Sequence, residues 1–266
     1  MRLFILALFL AILSRPAFAD DPVAAAKAAT SDFEQTKALA EHGNVTAEVN
    51  LAEMYVNGKI VKQDFSEAAK WYAKAAEAGQ GTAQSRLGVM YIKGIGVPQN
   101  YEKAGQLFIE AAQQDNIDAE TYLGFLYAGG MGFKKDNAQA LVWFRRAAEW
   151  GSVLAQYNAA VMYEKGLGAA QNDLAAAKYY RMAAEQGNAD ADFSIGQDYA
   201  SGRGSIGKDP IEAYAWLSVA DTLGNPDAAS LRESVIHSLS THDLTKAQIL
   251  FKKYLAQYGH APQAAQ

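Results

Sequence analysis

One alanine column constrains this chain more than any other feature. Ala47 recurs as alanine at positions 83, 119, 155 and 191, always 36 residues apart. Each copy carries a tyrosine eight residues later and a glycine three residues after that, beginning with Tyr55 and Gly58. A fixed period of about 20 to 50 residues indicates a stack of similar units, each of which buries its apolar faces against its neighbours. Such a stack is typically a binding surface.

Each copy predicts two short helices. In the second copy, Ala83, Leu87 and Tyr91 share one helical face, which we name helix A. A glycine-containing loop, residues 93–99, separates it from a second apolar stripe, helix B, predicted over about 101–113. Two aromatic columns follow on helix B, of which Trp71 and Tyr72 are the first members. Because these columns lie on the stripe that faces the next repeat, they predict packing between helices.

Polar columns predict where the helices begin and end. Helix B is preceded by the N-caps Asp64, Asn100, Asp136, Asn172 and Asp209. Glu67 and Glu212 have the spacing of a capping box, and Pro210 is predicted at a first helical position. The predicted N-caps of helix A are Asn44, Asn116, Ser152, Asn188 and Asn225, the last followed by Pro226. Helix B is followed by a glycine in every copy except one, where Asp115 takes its place. The glycine column predicts left-handed backbone at the end of helix B.

The combined pattern resembles the Sel1-like repeat, a relative of the tetratricopeptide repeat. It reads Ala-x3-Leu-Gly-x2-Tyr-x2-Gly-x-Gly, then Asp/Asn-x3-Ala-x2-Trp-Tyr-x2-Ala-Ala-Glu-x-Gly. The resemblance implies an all-α fold, a right-handed α-solenoid superhelix of stacked antiparallel helix pairs. Two local departures are Ile60 in place of a loop glycine and one extra residue near Ile206.

The resulting expected organisation has five parts. Residues 1–19 form a signal peptide, 20–44 an N-terminal capping helix, 45–224 five repeats, 225–258 C-terminal capping helices and 259–266 a disordered tail. The signal peptide rests on the positive start, the apolar run 3–13 and the small residues at 17 and 19. We expect cleavage before Asp20, a periplasmic or fully secreted mature protein and no membrane insertion afterwards. An uncleaved N-terminal anchor is the alternative.

Composition argues against several function classes. The chain has no cysteine and a net charge of −5, with acidic and basic residues interspersed, which disfavours nucleic acid as a partner. The four histidines, His42, His237, His242 and His260, include no pair at the helical metal-binding spacing. We therefore predict no catalytic residue, no cofactor and no metal site.

Binding is the better expectation. The resemblance implies that the outward positions of helix A line a concave groove, in which apolar and aromatic residues cluster centrally between polar ones. The predicted partner-binding residues are Asn50, Glu53, Arg86, Val89, Tyr122, Phe125, Tyr157, Asn158, Val161 and Phe193. The alternative is that superhelical curvature buries some of them. Among these residues, truncation of Phe125 is predicted to weaken binding and largely spare folding.

The leading functional hypothesis is a periplasmic, non-catalytic adaptor that holds an envelope protein in this groove. The resemblance also implies two alternatives, an exported regulator that restrains a membrane sensor kinase and a host-contact virulence factor. A third, an envelope hydrolase, has less support, because relatives with such activity carry a cysteine pair in each repeat and this chain has none.

Overall fold

The computed structural model describes residues 22–203 and 207–259, which form thirteen α-helices and no β-strand. The extra residue predicted near Ile206 lies outside these ranges, as do residues 1–19 and 260–266. The helices are α1 Pro22–Glu41, α2 Val45–Asn57, α3 Phe65–Glu77, α4 Gly81–Lys93, α5 Tyr101–Ala112, α6 Ile117–Gly129, α7 Asn137–Glu149, α8 Val153–Lys165, α9 Asp173–Ala184, α10 Ala189–Ser201, α11 Pro210–Thr222, α12 Ala228–Ile236 and α13 Thr241–Tyr258.

Helices A and B of each repeat pack as a pair, and each pair packs on the next. The five pairs are α2 with α3, α4 with α5, α6 with α7, α8 with α9, and α10 with α11. Helix α1 lies against α2 at one end, and both α12 and α13 lie against α11 at the other. The chain is thus an α-solenoid of stacked helix pairs, which confirms the predicted fold class.

The predicted N-caps of helix B are confirmed, but the capping boxes are wrong. The side chains of all five Asp and Asn residues accept hydrogen bonds from first-turn amides. In a capping box the Glu side chain accepts from the cap's own N–H. Here that N–H donates instead to the tyrosine-column carbonyl of the preceding helix A, as from Asp64 to Tyr55 at 3.0 Å. Glu67 and Glu212 are therefore free for other partners, Lys70 and Tyr254 respectively.

The ends of helix B follow the sequence prediction. Every predicted glycine has a positive φ, and Asp115 shares this conformation at φ 56°. After α3, the Gln80 amide donates to the Ala75 carbonyl at 3.0 Å, the hydrogen bond that closes a helix in this conformation. Gln80 also accepts a bond from the Ala83 amide and so caps α4, a role that the sequence pattern did not assign.

The prediction for the start of α12 is wrong. Helix α12 begins at Ala228, so Pro226 is outside it and Asn225 is not its N-cap. The Asn225 side chain instead accepts from the Asp227 amide and donates to Asp190 at 2.8 Å. These bonds hold the chain in a turn against the first turn of α10. As a result, this helix has nine residues, whereas the A helices have thirteen.

The second aromatic column forms the centre of the solenoid, as predicted. Its members Tyr72, Phe108, Phe144, Tyr180 and Leu217 are almost fully buried. Small residues on helix A make room for them. A Cβ added at Gly124 would lie 2.5 Å from the Phe144 ring, closer than carbon atoms can approach. Glycine at this position is therefore set by the distance between α6 and α7.

A second buried column is polar and directly follows the alanine column. Its members are Glu48, Gln84, Glu120, Gln156 and Asp192, each at most 5% exposed. Gln84 and Gln156 donate to the last-turn carbonyls of Ala76 and Ala148 in the preceding helix B. Among the described residues, the carboxyl oxygens of both Glu120 and Asp192 have no hydrogen-bond partner. Glu120 has an ion pair with Arg146 at 2.6 Å, whereas Asp192 has none.

Candidate protein-binding face

The ten predicted partner-binding residues lie on the five successive A helices, α2, α4, α6, α8 and α10. We call them together the A-helix face. Asn50 and Arg86 are exposed and the other eight are half-buried, so none of the ten is a fully buried core residue. The structure thus places all ten where at least part of each side chain reaches the surface.

The aromatic residues of this face are supported by rings of the buried aromatic column. Tyr122 stacks on Phe108 with ring centroids 5.0 Å apart, and Phe125 meets Phe144 edge to face at 5.0 Å. The ring centroids of Tyr157 and Tyr180 are 5.8 Å apart. Burial raises the pKa of the Tyr122 and Tyr157 hydroxyls above the usual value, which keeps them neutral donors. These rings are therefore held in place before any partner arrives.

This packing changes what truncation of Phe125 would report. Because its ring contacts Phe144 in the core, Phe125→Ala removes folding contacts as well as surface. Asn158 is a better probe of the face, since among the described residues its side chain bonds only the Leu154 carbonyl of its own helix, at 2.7 Å.

A charged network marks the first-repeat end of the face. The Tyr72 hydroxyl donates to the Glu53 carboxylate, and together burial and this bond raise the pKa of Tyr72 above its usual value. On the other side of Glu53, the Arg86 Nε atom lies 3.5 Å from its Oε1 atom. The network therefore links helices α2, α3 and α4 across the boundary between two repeats.

A second network of the same composition marks the fourth-repeat end. The Tyr180 hydroxyl donates to Glu164 at 2.6 Å, and Glu164 pairs with Arg203 from the next repeat. Arg203 also bonds Asp198 at 2.9 Å, although burial outweighs this contact and raises the pKa of the Asp198 carboxyl. Polar networks thus lie on both sides of the aromatic centre of the face, and the residues of the fourth-repeat network were not predicted from the sequence.

A pocket of about 290 Å³ opens beside the first network. It is lined by Glu53, Val56, Phe65, Tyr72, Arg86, Val89, Met90, Lys93 and Ile95. We call it the α2–α4 pocket. Three of these residues, Glu53, Arg86 and Val89, were predicted from the sequence, whereas Lys93 was not. Lys93 could have been predicted from the sequence, because it follows Arg86 by seven residues and so lies on the same side of the helix.

The described residues contain neither a metal-binding cluster nor a membrane-spanning helix. They contain no group of three His, Asp or Glu side chains arranged to hold a metal ion. A search of the same residues found no helix that is long and apolar enough to cross a membrane.

Comparison with known proteins identifies the repeat. The Sel1 repeat model matches five successive segments, residues 45–80, 81–116, 117–152, 153–188 and 189–224. A Sel1 repeat protein of known structure from Oxalobacter formigenes is 30% identical, with 78% of this chain and 87% of that chain covered and a TM-score of 0.69. No curated protein matches the chain.

Two further solved structures are more distant. One, from Klebsiella pneumoniae, is 23% identical over 76% of this chain and 98% of its own, with a TM-score of 0.48. The other, a protective antigen of uropathogenic Escherichia coli, is 25% identical over 89% of this chain and 68% of its own, with a TM-score of 0.46. The five repeat matches cover well over half of the sequence, and the chain therefore belongs to the Sel1 repeat family.

Proposed function

We propose that this protein is an exported, non-catalytic adaptor that holds a segment or domain of another envelope protein against its A-helix face. Sel1 repeat proteins mediate protein–protein interaction, and the family consists generally of non-catalytic scaffolds. The observation that carries the proposal is the face itself, where half-buried rings are fixed by the core between two polar networks. An apolar centre with a polar rim is the usual anatomy of a protein-contact surface.

The binding test compares the same substitution type on a helix A and on a helix B. Asn158→Arg places a large cation on the A-helix face, and Gln106→Arg makes the same change on an exposed position of α5. A partner is first captured from an envelope extract with the wild-type protein and identified by mass spectrometry. We expect Asn158→Arg to weaken its binding by a factor of about ten or more, a loss of about 1.4 kcal/mol. Gln106→Arg should change it less than about twofold.

Circular dichroism melts accompany both measurements, because each side chain lies at the surface and neither change should alter folding. If both variants bind the captured partner as well as the wild type does, the A-helix face is not the binding surface. Equal loss by both variants would point to general charge repulsion and would also contradict the proposal.

Export gives a separate prediction. The positive start, apolar run and small residues of 1–19 support cleavage by a signal peptidase, in a segment outside the described residues. Sequencing of the protein purified from an expressing bacterium should give an N-terminus at Asp20, in the periplasmic or culture fraction. Recovery of a form that retains Met1 in the membrane fraction would support an anchored protein instead.

A further inference from the structure

The α2–α4 pocket combines an apolar wall with two cationic groups. Val56, Phe65 and Met90 are among the apolar side chains of the wall, and Arg86 and Lys93 supply the positive charge. Both cations come from α4, seven residues apart, which is about 10 Å along the helix axis. Val89 lies between them on the same side of the helix. The pocket is thus bordered by a stripe in the order cation, apolar residue, cation.

These cations keep hydrogen-bonding capacity that Arg146 and Arg203, for example, have used in ion pairs. Lys93 has no carboxylate within 4.0 Å and no hydrogen bond within the described part of the chain, and Arg86 uses only Nε, at the long distance of 3.5 Å from Glu53. The Glu53 carboxylate also accepts from Tyr72, so it is already shared. The mouth of the pocket therefore carries a local positive excess on a protein whose overall charge is −5.

A comparable pocket near the fourth repeat also has two cations and one carboxylate, but its cations differ in their contacts. It measures about 230 Å³ and includes Lys178, Arg181 and Asp198 in its lining. Lys178 lies 5.4 Å from the ring of Tyr179, and Arg181 lies 5.4 Å from the ring of Trp216. Both cations of this pocket thus contact aromatic rings, whereas Lys93 of the α2–α4 pocket contacts neither a ring nor a carboxylate among the described residues.

We propose that the α2–α4 pocket receives one apolar side chain from an acidic segment of the partner protein, while carboxylates on either side of that side chain bind Arg86 and Lys93. This assignment rests on the proposed function and specifies the chemistry of the partner. The volume of about 290 Å³ lies at the lower limit of the range typical of small-molecule sites, about 300 to 1,000 Å³, and is large enough for one leucine- or phenylalanine-sized side chain. Carboxylates complement unpaired cations, which sets the charge of the segment.

The test selects peptides on the folded, mature protein from a phage-displayed library of random 12-residue sequences. We expect the enriched peptides to share an apolar residue flanked on both sides by Asp or Glu. A synthetic peptide of this kind should lose affinity by a factor of about ten when its apolar residue is changed to serine, and by a similar factor when its acids are changed to amides. Added salt should weaken its binding.

The matched protein variants are Lys93→Glu and Lys165→Glu. Both lysines are exposed and end an A helix at the equivalent position of their repeats, so the two variants make the same charge change in different repeats. Lys93→Glu should lower the affinity for the synthetic peptide by a factor of about ten or more, whereas Lys165→Glu should change that affinity less than about twofold.

Three outcomes would overturn the assignment, namely no enrichment, enriched peptides without the acidic and apolar pattern, or equal loss in both lysine variants. Failure of the pocket is distinguishable from failure of the proposed function. If Asn158→Arg weakens binding of the captured partner and Lys93→Glu does not, the A-helix face binds that partner without the pocket. If neither variant weakens it, both proposals are wrong.

Discussion

Replacing Asp192 by asparagine is expected to raise the melting temperature of this protein at pH 8 by about 10 °C and to leave it nearly unchanged at pH 4. Asp192 is fully buried and its carboxyl oxygens have no partner among the described residues. An unpartnered carboxylate in such a place is costly, so the carboxyl group retains its proton. Asparagine has nearly the same shape and cannot ionise.

The sign of the effect follows from proton binding in the two states. Burial raises the pKa of Asp192 to about 8 in the folded protein, whereas an unfolded Asp has a pKa of about 3.9. Between these values the unfolded chain binds fewer protons than the folded one, so the free energy of unfolding falls as the pH rises from about 4 to 8. At about 1.36 kcal/mol per pH unit, the loss is on the order of 5 kcal/mol. The asparagine variant avoids this loss.

Glu120→Gln is the control, because it makes the same kind of change two repeats earlier in the same buried column. Burial raises the pKa of the Glu120 carboxyl as well, but Arg146 at 2.6 Å acts in the opposite direction. Removal of the Glu120 charge also leaves that guanidinium, among the described residues, with Asp115 as its remaining carboxylate partner. We therefore expect a much smaller gain in melting temperature at pH 8 from this variant than from Asp192→Asn. Melting curves of both variants and the wild type between pH 4 and 8 make the comparison. If the melting temperatures of Asp192→Asn and the wild type change with pH in parallel between pH 4 and 8, Asp192 is ionised in the folded protein and this prediction is wrong.

This buried column shows where sequence periodicity stops being informative. The alanine and glycine columns predicted the helix pairs and their ends because each position has one residue type with one steric reason. The column that follows alanine contains Glu, Gln and Asp, which look like solvated residues in a sequence. The burial of Gln84 and Gln156 depends on carbonyl groups at the end of the preceding helix B, and that of Glu120 on Arg146, partners that the sequence does not place beside them.

For the candidate binding face, too, only part could be predicted from the sequence. The surface position of its ten residues could be predicted because outward positions of helix A recur with the repeat. The pocket could not, since it forms between two repeats and uses Phe65 and Tyr72 from helix B together with Lys93 from the next helix A. The prediction of capping boxes was wrong for a related reason. The Asp64 amide donates its hydrogen bond to the Tyr55 carbonyl and not to the Glu67 side chain. In both cases the contacts join different helices, and the pattern within one helix does not predict them.

The second large effect concerns the C-terminal end of the stack. Helix α13 covers α11, where Trp216 is fully buried with its ring 4.5 Å from the ring of Tyr254 and 5.7 Å from that of Tyr258. The Tyr254 hydroxyl donates to Glu212 at 3.0 Å. Removal of residues 241–266 would expose this aromatic surface to water. Terminal capping elements with a polar outer face keep solenoids soluble.

We expect the chain shortened after Ser240 to self-associate at micromolar concentration, as measured by light scattering. Each repeat depends mainly on its neighbours, so destabilisation should be greatest next to the cut. Hydrogen exchange should therefore accelerate strongly in α10 and α11 and change little in α2 and α3. A chain shortened after Gly259 keeps α13 and serves as the control, with wild-type behaviour expected. If the shorter chain stays monomeric with unchanged exchange in α11, then α13 does not cap the solenoid and Trp216 is protected by other contacts.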